Sequence, residues 1–303
     1  YSLANLKIGV VGLPGKWSTE VLADALEKRT GYRLVIDMQE VCLDLNARKL
    51  RYKDINLCDL DGLVIKKITR EYSPNTLDRL ELLRIAEAQG VRVFSGAENI
   101  LRLIDRLSCT VSLINADIPM PETVVTEDID KAFDSVKQFG EAVFKPLYST
   151  KARGMCLINA KDEEKKIRKA IKEFHQDNPM MYIQKKKDLK GRDFGMVFLG
   201  GDYLGSYARV TKSDSWNTTI FHGGKYMAYE ATPELIELGT RAQAPFGMDF
   251  TTVDVAITED GPVVFEVSAF GGFRGAQEGI GIDAGSQYAD YVIKNIQEGQ
   301  SDK

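Results

Sequence analysis

The spacing of apolar positions changes along this 303-residue chain. Residues 7–11, Lys-Ile-Gly-Val-Val, make a short apolar run of the kind a buried parallel strand needs, and Gly12-Leu-Pro-Gly15 follows as a tight turn. A helix is predicted from about Ser18 to Arg29, stopped before Gly31. Further strands are expected at 33–37, 62–65 and 91–94, with a helix over 74–89 closed by Gly90. Together they read as a small three-layer α/β domain ending near Gly96.

A helical period then takes over. Ile100, Leu101, Leu103, Ile104 and Leu107 give one apolar face to a helix expected over 98–116, and Pro119 and Pro121 mark a connector. Strands at 122–125, 142–145 and 155–159, with helices at 129–139 and 162–175, predict a compact α+β module. From Met180 the pattern is mainly strands, at 181–185, 194–199 and 203–210, followed by a polar loop over 211–224. A helix over 233–244, an acidic hairpin and a last helix near 284–297 complete the chain. The expected division is an N-terminal α/β domain at 1–96 and two α+β modules at 97–179 and 180–303.

Composition narrows the function. Hydrophobic residues at 44% and charged residues at 28% fit an ordinary globular chain, and no apolar run is long enough to span a bilayer. A net charge of -4 argues against a general nucleic-acid binder, which needs a basic surface for phosphates. Cysteines 42, 58, 109 and 156 have no metal-ligand spacing, which favours a reduced, cytoplasmic setting. His175 and His222 alone leave little room for zinc clusters or histidine-based triads. Tyr1 opens the chain without a methionine or signal pattern, so a trimmed start is expected.

The most informative chemistry lies near the C-terminus. Asp254 in Phe250-Thr-Thr-Val-Asp254 and Glu266 in Val263-Val-Phe-Glu266 each interrupt an apolar strand, with a turn at Glu259-Asp-Gly-Pro262 between them. A hairpin symmetric about Asp260 sets the two acids directly opposite each other, on one face and about 5 Å apart. Like charges at that distance repel by roughly 3 kcal/mol at an effective dielectric near 20, so the pair wants a proton or a cation. Ser268 returns to the same face and adds a third oxygen, and an oxygen-only set with room for water and phosphate suits magnesium. Two solvated carboxylates on an exposed face would look the same, and the residues alone leave both readings open.

Lys145-Pro-Leu-Tyr-Ser149-Thr150-Lys151-Ala-Arg153-Gly154 places a lysine at the end of an apolar strand, then a flexible loop with two more cations. Such a loop can wrap a triphosphate with backbone N–H groups, although a lysine at a strand end also serves as an ordinary surface residue. Gly12-Leu-Pro-Gly15-Lys16-Trp-Ser18 fails the spacing of a Walker loop, and Gly9, Gly12 and Gly15 miss the dinucleotide pattern. The polar loop over 211–224, with Trp216 and a Gly223-Gly224 hinge, could close over a ligand or be plain surface.

Read in order, Ser95-Gly96, Asp105-Arg106, Val143-Phe-Lys145-Pro146, Gly154, Met181-Tyr-Ile-Gln184, Gly191-Arg-Asp193, Arg209, His222-Gly-Gly224, Val253-Asp254 and Phe265-Glu266-Val-Ser268 resemble the ATP-grasp superfamily. In particular they resemble its ribosomal-protein glutamate-ligase, or RimK-like, branch. The resemblance implies ATP held between the central and C-terminal modules, with Arg106, Lys145, Ser149, Thr150 and Gly154 at the phosphates. It also implies an adenine hinge at Gln184 with the backbone of Lys185 and Lys187, and Asp193 at the ribose. Asp254, Glu266 and Ser268 would bind magnesium, with manganese as an alternative ion, and Arg209 would support the transferred phosphoryl group. The implied activity joins a carboxylate to an amine or amino acid through an acyl phosphate; a small-molecule kinase and a non-catalytic ATP-binding protein are the rivals. Family members often self-associate, and no membrane or nucleic-acid partner is expected.

Several positions depart from the family pattern. Ser268 stands for asparagine, Arg106 for lysine, Lys185 for a hinge glutamate, and Gly195 and Asn217 for arginines. These bear on the amino-acid substrate more than on ATP, and Arg274 in Phe270-Gly-Gly-Phe-Arg274-Gly is a compensating cation for the acyl phosphate.

Overall fold

The computed structural model describes residues 5–149, 153–210 and 225–301. The chain opens with β1 (Ile8–Val11), α1 (Trp17–Thr30, ended by Gly31 in the left-handed region) and β2 (Val35–Ile36). Three short strands follow, β3 (Val41–Asp44), β4 (Lys49–Tyr52) and β5 (Ile55–Asn56), then β6 (Gly62–Ile65), α2 (Pro74–Ala88) and β7 (Arg92–Phe94). Strands β2, β1, β6 and β7 pair in that order, all parallel. The small antiparallel sheet of β3, β4 and β5 was not expected from sequence. Its strands are two to four residues long, too short for a strand period to stand out.

The helix expected over 98–116 is two helices, α3 (Ala97–Ile104) and α4 (Arg106–Asn115). Asp105 breaks it because its carboxylate accepts the Leu107 N–H and so competes with the helical backbone. Arg106 thereby becomes the first residue of α4.

Next come β8 (Thr123–Thr126), α5 (Ile129–Phe139), β9 (Glu141–Lys145), β10 (Cys156–Asn159), α6 (Glu164–Asp177) and β11 (Met181–Lys185). Their antiparallel sheet runs β10-β9-β11-β8. Ala142, Phe144, Met181 and Ile183 pack beneath α5 and α6, so strand alternation turns Val143, Lys145, Tyr182 and Gln184 to the opposite face. Since β11 belongs to this sheet, we propose setting the second module boundary after Lys185 rather than at 179.

The last part contains β12 (Arg192–Leu199), β13 (Asp202–Val210), β14 (Lys225–Tyr229), α7 (Pro233–Gln243), β15 (Phe250–Thr258), β16 (Gly261–Val267), the single turn α8 (Phe273–Gly275) and α9 (Ala284–Ser301). The sheet runs β14-β13-β12-β15-β16, antiparallel throughout. Helix α9 returns to the N-terminal sheet, where Tyr288, Val292, Ile293 and Ile296 share a core with Leu22 and Leu26 of α1. The three-layer domain is therefore completed by the chain's last helix.

Candidate active site

The acidic hairpin does pair Asp254 with Glu266, for a reason the sequence did not supply. Near its turn the register is Thr258↔Gly261 and Val255↔Val264, which is symmetric about the Glu259-Asp260 turn and would set Asp254 against Phe265. A bulge at Phe265 takes up one residue, and beyond it Asp254↔Glu266 and Val253↔Val267 are direct partners. The bulge also sends two consecutive side chains, Phe265 and Glu266, into the same cleft.

Burial, reinforced by Glu266 and Asp193, pushes the Asp254 carboxyl above the usual range, while Arg209 pulls it down. Arg209 lies opposite Asp193 in the β12–β13 register and bonds both its carboxylate oxygens, Nε at 3.2 Å and an Nη at 2.9 Å. The same guanidinium nitrogen is 3.1 Å from Asp254. Three carboxylates and one guanidinium thus occupy this wall, an excess of negative charge suited to a divalent cation. Among the described residues no group of three or more acidic, histidine or cysteine side chains forms a metal cage. Two acids with open space beside them fit an ion that keeps water and phosphate ligands. Ser268 lies in the same cleft, but its Oγ accepts the N–H groups of Phe270 (3.3 Å) and Gly271 (2.8 Å), which occupies both lone pairs.

The facing wall is basic. Lys145 Nζ donates to Gln184 Oε1 at 2.7 Å and sits 5.0 Å from the centre of the Phe265 ring. Burial, with Arg106 adding repulsion, pushes this ammonium down to about 7. Gln184 is fixed in turn, since its amide nitrogen donates to Thr123 Oγ1 at 3.0 Å. Arg106 spans the two walls: its Nε donates to the Pro146 carbonyl, one Nη to Ser149 Oγ at 3.0 Å, and the other lies 3.7 Å from Glu266. The loop after Lys145 is therefore tied to the acidic hairpin through one arginine.

These groups line a single cleft of about 350 Å³. Lys145, Gln184, Asp193, Arg209, Asp254, Glu266, Ser268, Arg106, Ser149, Lys185 and Lys187 all reach it. The Lys187 ammonium, however, is held by Glu122 at 2.9 Å and Asp260 at 2.8 Å. Gly154 has φ +72 and packs on Pro146, outside the lining of the cleft. Arg274 does not line it either; it pairs with Glu278 at 3.0 Å and lies over the Trp17 ring at 5.0 Å. Thr150, Lys151 and the loop over 211–224, with Trp216, Asn217 and His222, lie outside the described residues.

Sequence reasoning missed the contribution of the N-terminal domain and of two tyrosines. Lys67 and Tyr72 line the cleft from the loop after β6, and Tyr207 and Tyr226 line it from β13 and β14. Lys66, next to Lys67 in the chain, is buried: its Nζ donates to the Phe270 carbonyl and stands 4.5 Å from the Phe273 ring. A pair of lysines directly after a fully buried parallel strand was the available signal, because ligands gather at the carboxyl ends of such strands.

Two α+β modules closing on a cleft, with a lysine on one wall and paired acids on the other, define an ATP-grasp protein. Residues 104–292 match the model of the RimK-like ATP-grasp domain, so the chain belongs to that family. It is similar to the tetrahydromethanopterin:alpha-L-glutamate ligase of Methanosarcina acetivorans, with 24% identity over 82% of each chain. A probable alpha-L-glutamate ligase of Maridesulfovibrio salexigens is 25% identical over 98% of each chain. The ATP-grasp ligase PsnB, solved with a phosphomimetic variant of its minimal precursor, Mg and ADP, superposes with a TM-score of 0.74 at 18% identity, covering 97% of this chain and 99% of that one. No helix among the described residues is long and apolar enough to cross a membrane.

Proposed function

We propose that this protein is an ATP- and magnesium-dependent ligase that joins a carboxylate to an amine or amino acid and releases ADP and phosphate. The observation that carries the reading is the pair of opposed acids, Asp254 and Glu266, set in one cleft with Lys145. Family membership and the names of the ligase relatives support it.

In this reading the carboxylate substrate attacks the γ-phosphorus, the bond to the leaving ADP breaks, and an acyl phosphate forms. The amine then attacks the acyl carbon, the C–O bond to phosphate breaks, and the amine proton leaves with solvent or phosphate. No side-chain nucleophile is needed, because positioning and charge stabilisation dominate phosphoryl transfer. Lys145, Arg106 and Ser149 hold the phosphates, with Thr150 next along the same loop; Gly154, outside the cleft lining, would have to move to join them. Gln184 and the backbone of Lys185 and Lys187 face adenine; the Lys187 side chain is already engaged, which leaves its main chain for that role. Asp193 would meet the ribose and Arg209 the transferred phosphoryl group.

Asp254 and Glu266 would hold magnesium or manganese, with Ser268 contributing only if its hydroxyl leaves the backbone of 270–271. An ion held there would supply positive charge against the phosphates of the nucleotide. Arg274 would have to leave Glu278 and Trp17 to reach an acyl phosphate. Four free cysteines fit a reduced cytoplasmic setting. Self-association, frequent in the family, remains part of this reading.

Incubation with ATP, magnesium and a panel of carboxylates and amines tests it: ADP, phosphate and an amide are expected. Release of AMP and pyrophosphate would overturn the mechanism, and a stable phosphoester would make the protein a kinase.

A further inference from the structure

We propose that Lys187 is a positioning residue: its ammonium pins the tip of the acidic hairpin to the central module and so sets how far Asp254 and Glu266 stand from Lys145. The proposal rests on the ligase reading above only in taking magnesium-bound ATP as the ligand that bridges the two walls.

The two walls belong to different modules, and Lys187 lies in the segment that crosses from β11 of one to β12 of the other. Its side chain is 2% exposed, and the ammonium is 2.9 Å from Glu122 and 2.8 Å from Asp260, with Glu259 at 4.0 Å. Glu122 directly precedes β8 of the central sheet, whereas Glu259 and Asp260 form the turn between β15 and β16. One buried ammonium is thereby shared between an acid of the central module and two at the hairpin tip. Asp260, with Glu122, holds the ammonium above its ordinary value, and the ammonium holds both carboxyls below theirs, so the tie is ionic at neutral pH.

The hairpin needs such a tie because its tip leaves the sheet. Strand β15 pairs with β12 only as far as Val255, so residues 256–263 overhang the sheet edge directly beyond the acids. Thr258 Oγ1 donates to the Gly261 carbonyl and accepts the Asp260 N–H, which gives the overhang a fixed shape. The Val264 N–H donates to the Pro119 carbonyl at 2.8 Å, and the Lys185 N–H donates to the Glu122 carbonyl at 2.9 Å. The connector before β8 is thus bonded to the hairpin on one side and to β11 on the other.

Without Lys187 the hairpin would turn about the Val264 bond. The arm from there to the tip is about 13 Å and the arm to Glu266 about 7 Å, at about 3.3 Å per residue. A tip shift of about 2 Å then carries the acid by about 1 Å, and misplacement on that scale can cost about 100-fold where positioning governs the reaction. Arg106 also joins the walls, 3.7 Å from Glu266, but both of these side chains turn to ligand in the ligase reading. The ammonium of Lys187 stays with its acids when the cleft fills.

Titration with the non-hydrolysable ATP analogue AMPPNP, once in magnesium and once in EDTA, tests the proposal. The gain in affinity on adding magnesium measures how well the two walls close on one ligand, and it is expected to be at least fivefold smaller in Lys187→Met than in the unaltered protein. A loss of stability alone would lower affinity equally in both solutions. With neither nucleotide nor metal present, amide exchange over residues 259–264 should run at least fivefold faster in the variant. If melting curves show that Lys187→Met does not fold, Asp260→Asn provides both comparisons, with effects of at least threefold, since its side chain is 64% exposed. An equal magnesium gain, or unchanged exchange at the tip, would overturn the proposal. No magnesium gain in the unaltered protein would overturn the ligase reading, and the exchange comparison would then decide separately whether Lys187 pins the tip.

Discussion

The two walls of the cleft are both antiparallel sheet, yet their polar residues are held in opposite ways. On the central wall Lys145 bonds an amide and faces an aromatic ring, and burial pushes its ammonium down. On the C-terminal wall Asp254 is crowded by two other carboxylates and only partly offset by Arg209, and burial pushes it up. Lys187 gives the contrast from within the same cleft: Glu122 and Asp260 hold its charge, and its ammonium is raised rather than lowered. A structural ion pair compensates its own charge, whereas on each wall burial disfavours the charged form, and a ligand of the opposite sign would favour it. A magnesium-bound triphosphate supplies both signs at once.

Removing Lys145 should have the largest effect. Lys145→Ala is expected to reduce ATP turnover by about 100-fold or more, the scale of losing one preorganised charge in a dry site. Phosphate release under saturating substrate measures it, and a loss below tenfold would break the contrast between the walls. Glu266→Gln comes next. Even outer partners of a metal ligand matter by about 10–100-fold, so the magnesium concentration for half-maximal nucleotide binding should rise at least about tenfold. The melting temperature should stay within a few degrees, because the Glu266 side chain is 46% exposed.

Deleting Phe265 sharpens the comparison further. It would make the hairpin register regular while keeping Asp254 opposite Glu266, so the acids survive and only the ring facing Lys145 is lost. A cation–π contact of about 1 kcal/mol implies a nucleotide affinity weaker by roughly fivefold. If affinity instead collapses as in Glu266→Gln, the bulge itself is required.

Lys66 affects stability rather than nucleotide binding: burial pushes its ammonium down to about 7, with Lys67 adding repulsion. Between pH 7 and the ordinary lysine range the unfolded chain binds the proton that the folded one has released, so this group makes stability rise with pH. Lys66→Met removes that slope. Urea midpoints at pH 7 and pH 9.5 should show the original protein gaining on the variant at the higher pH; parallel behaviour would mean that the amine is not held neutral.

Much of the site was legible because strand alternation is local. Once Phe144 and Ile183 are recognised as core, Lys145 and Gln184 must face the other way, and both occupy the cleft. Helix α5 matches its expected span at Ile129–Phe139, where the apolar period and the Asp128 cap agree. What escaped was set by partners distant in the chain. The break at Asp105, which aims Arg106 at Glu266, depends on one side-chain hydrogen bond that a continuous apolar period conceals. Arg274 read as a free cation, but Glu278, one turn along, and the distant Trp17 ring occupy it.

The sequence by itself determined most of the helices and longer strands, which residues point away from each core, and that an acidic pair and a lysine were candidates for holding a ligand. Periodicity and burial decide these within a few residues. Tertiary structure alone decided that a bulge, not symmetry, brings Asp254 to Glu266, that α9 completes the N-terminal layer, and that Tyr207 lies over Gly195. Register, closure and close approach depend on atoms from distant segments filling the same space, and no local pattern of residues encodes that.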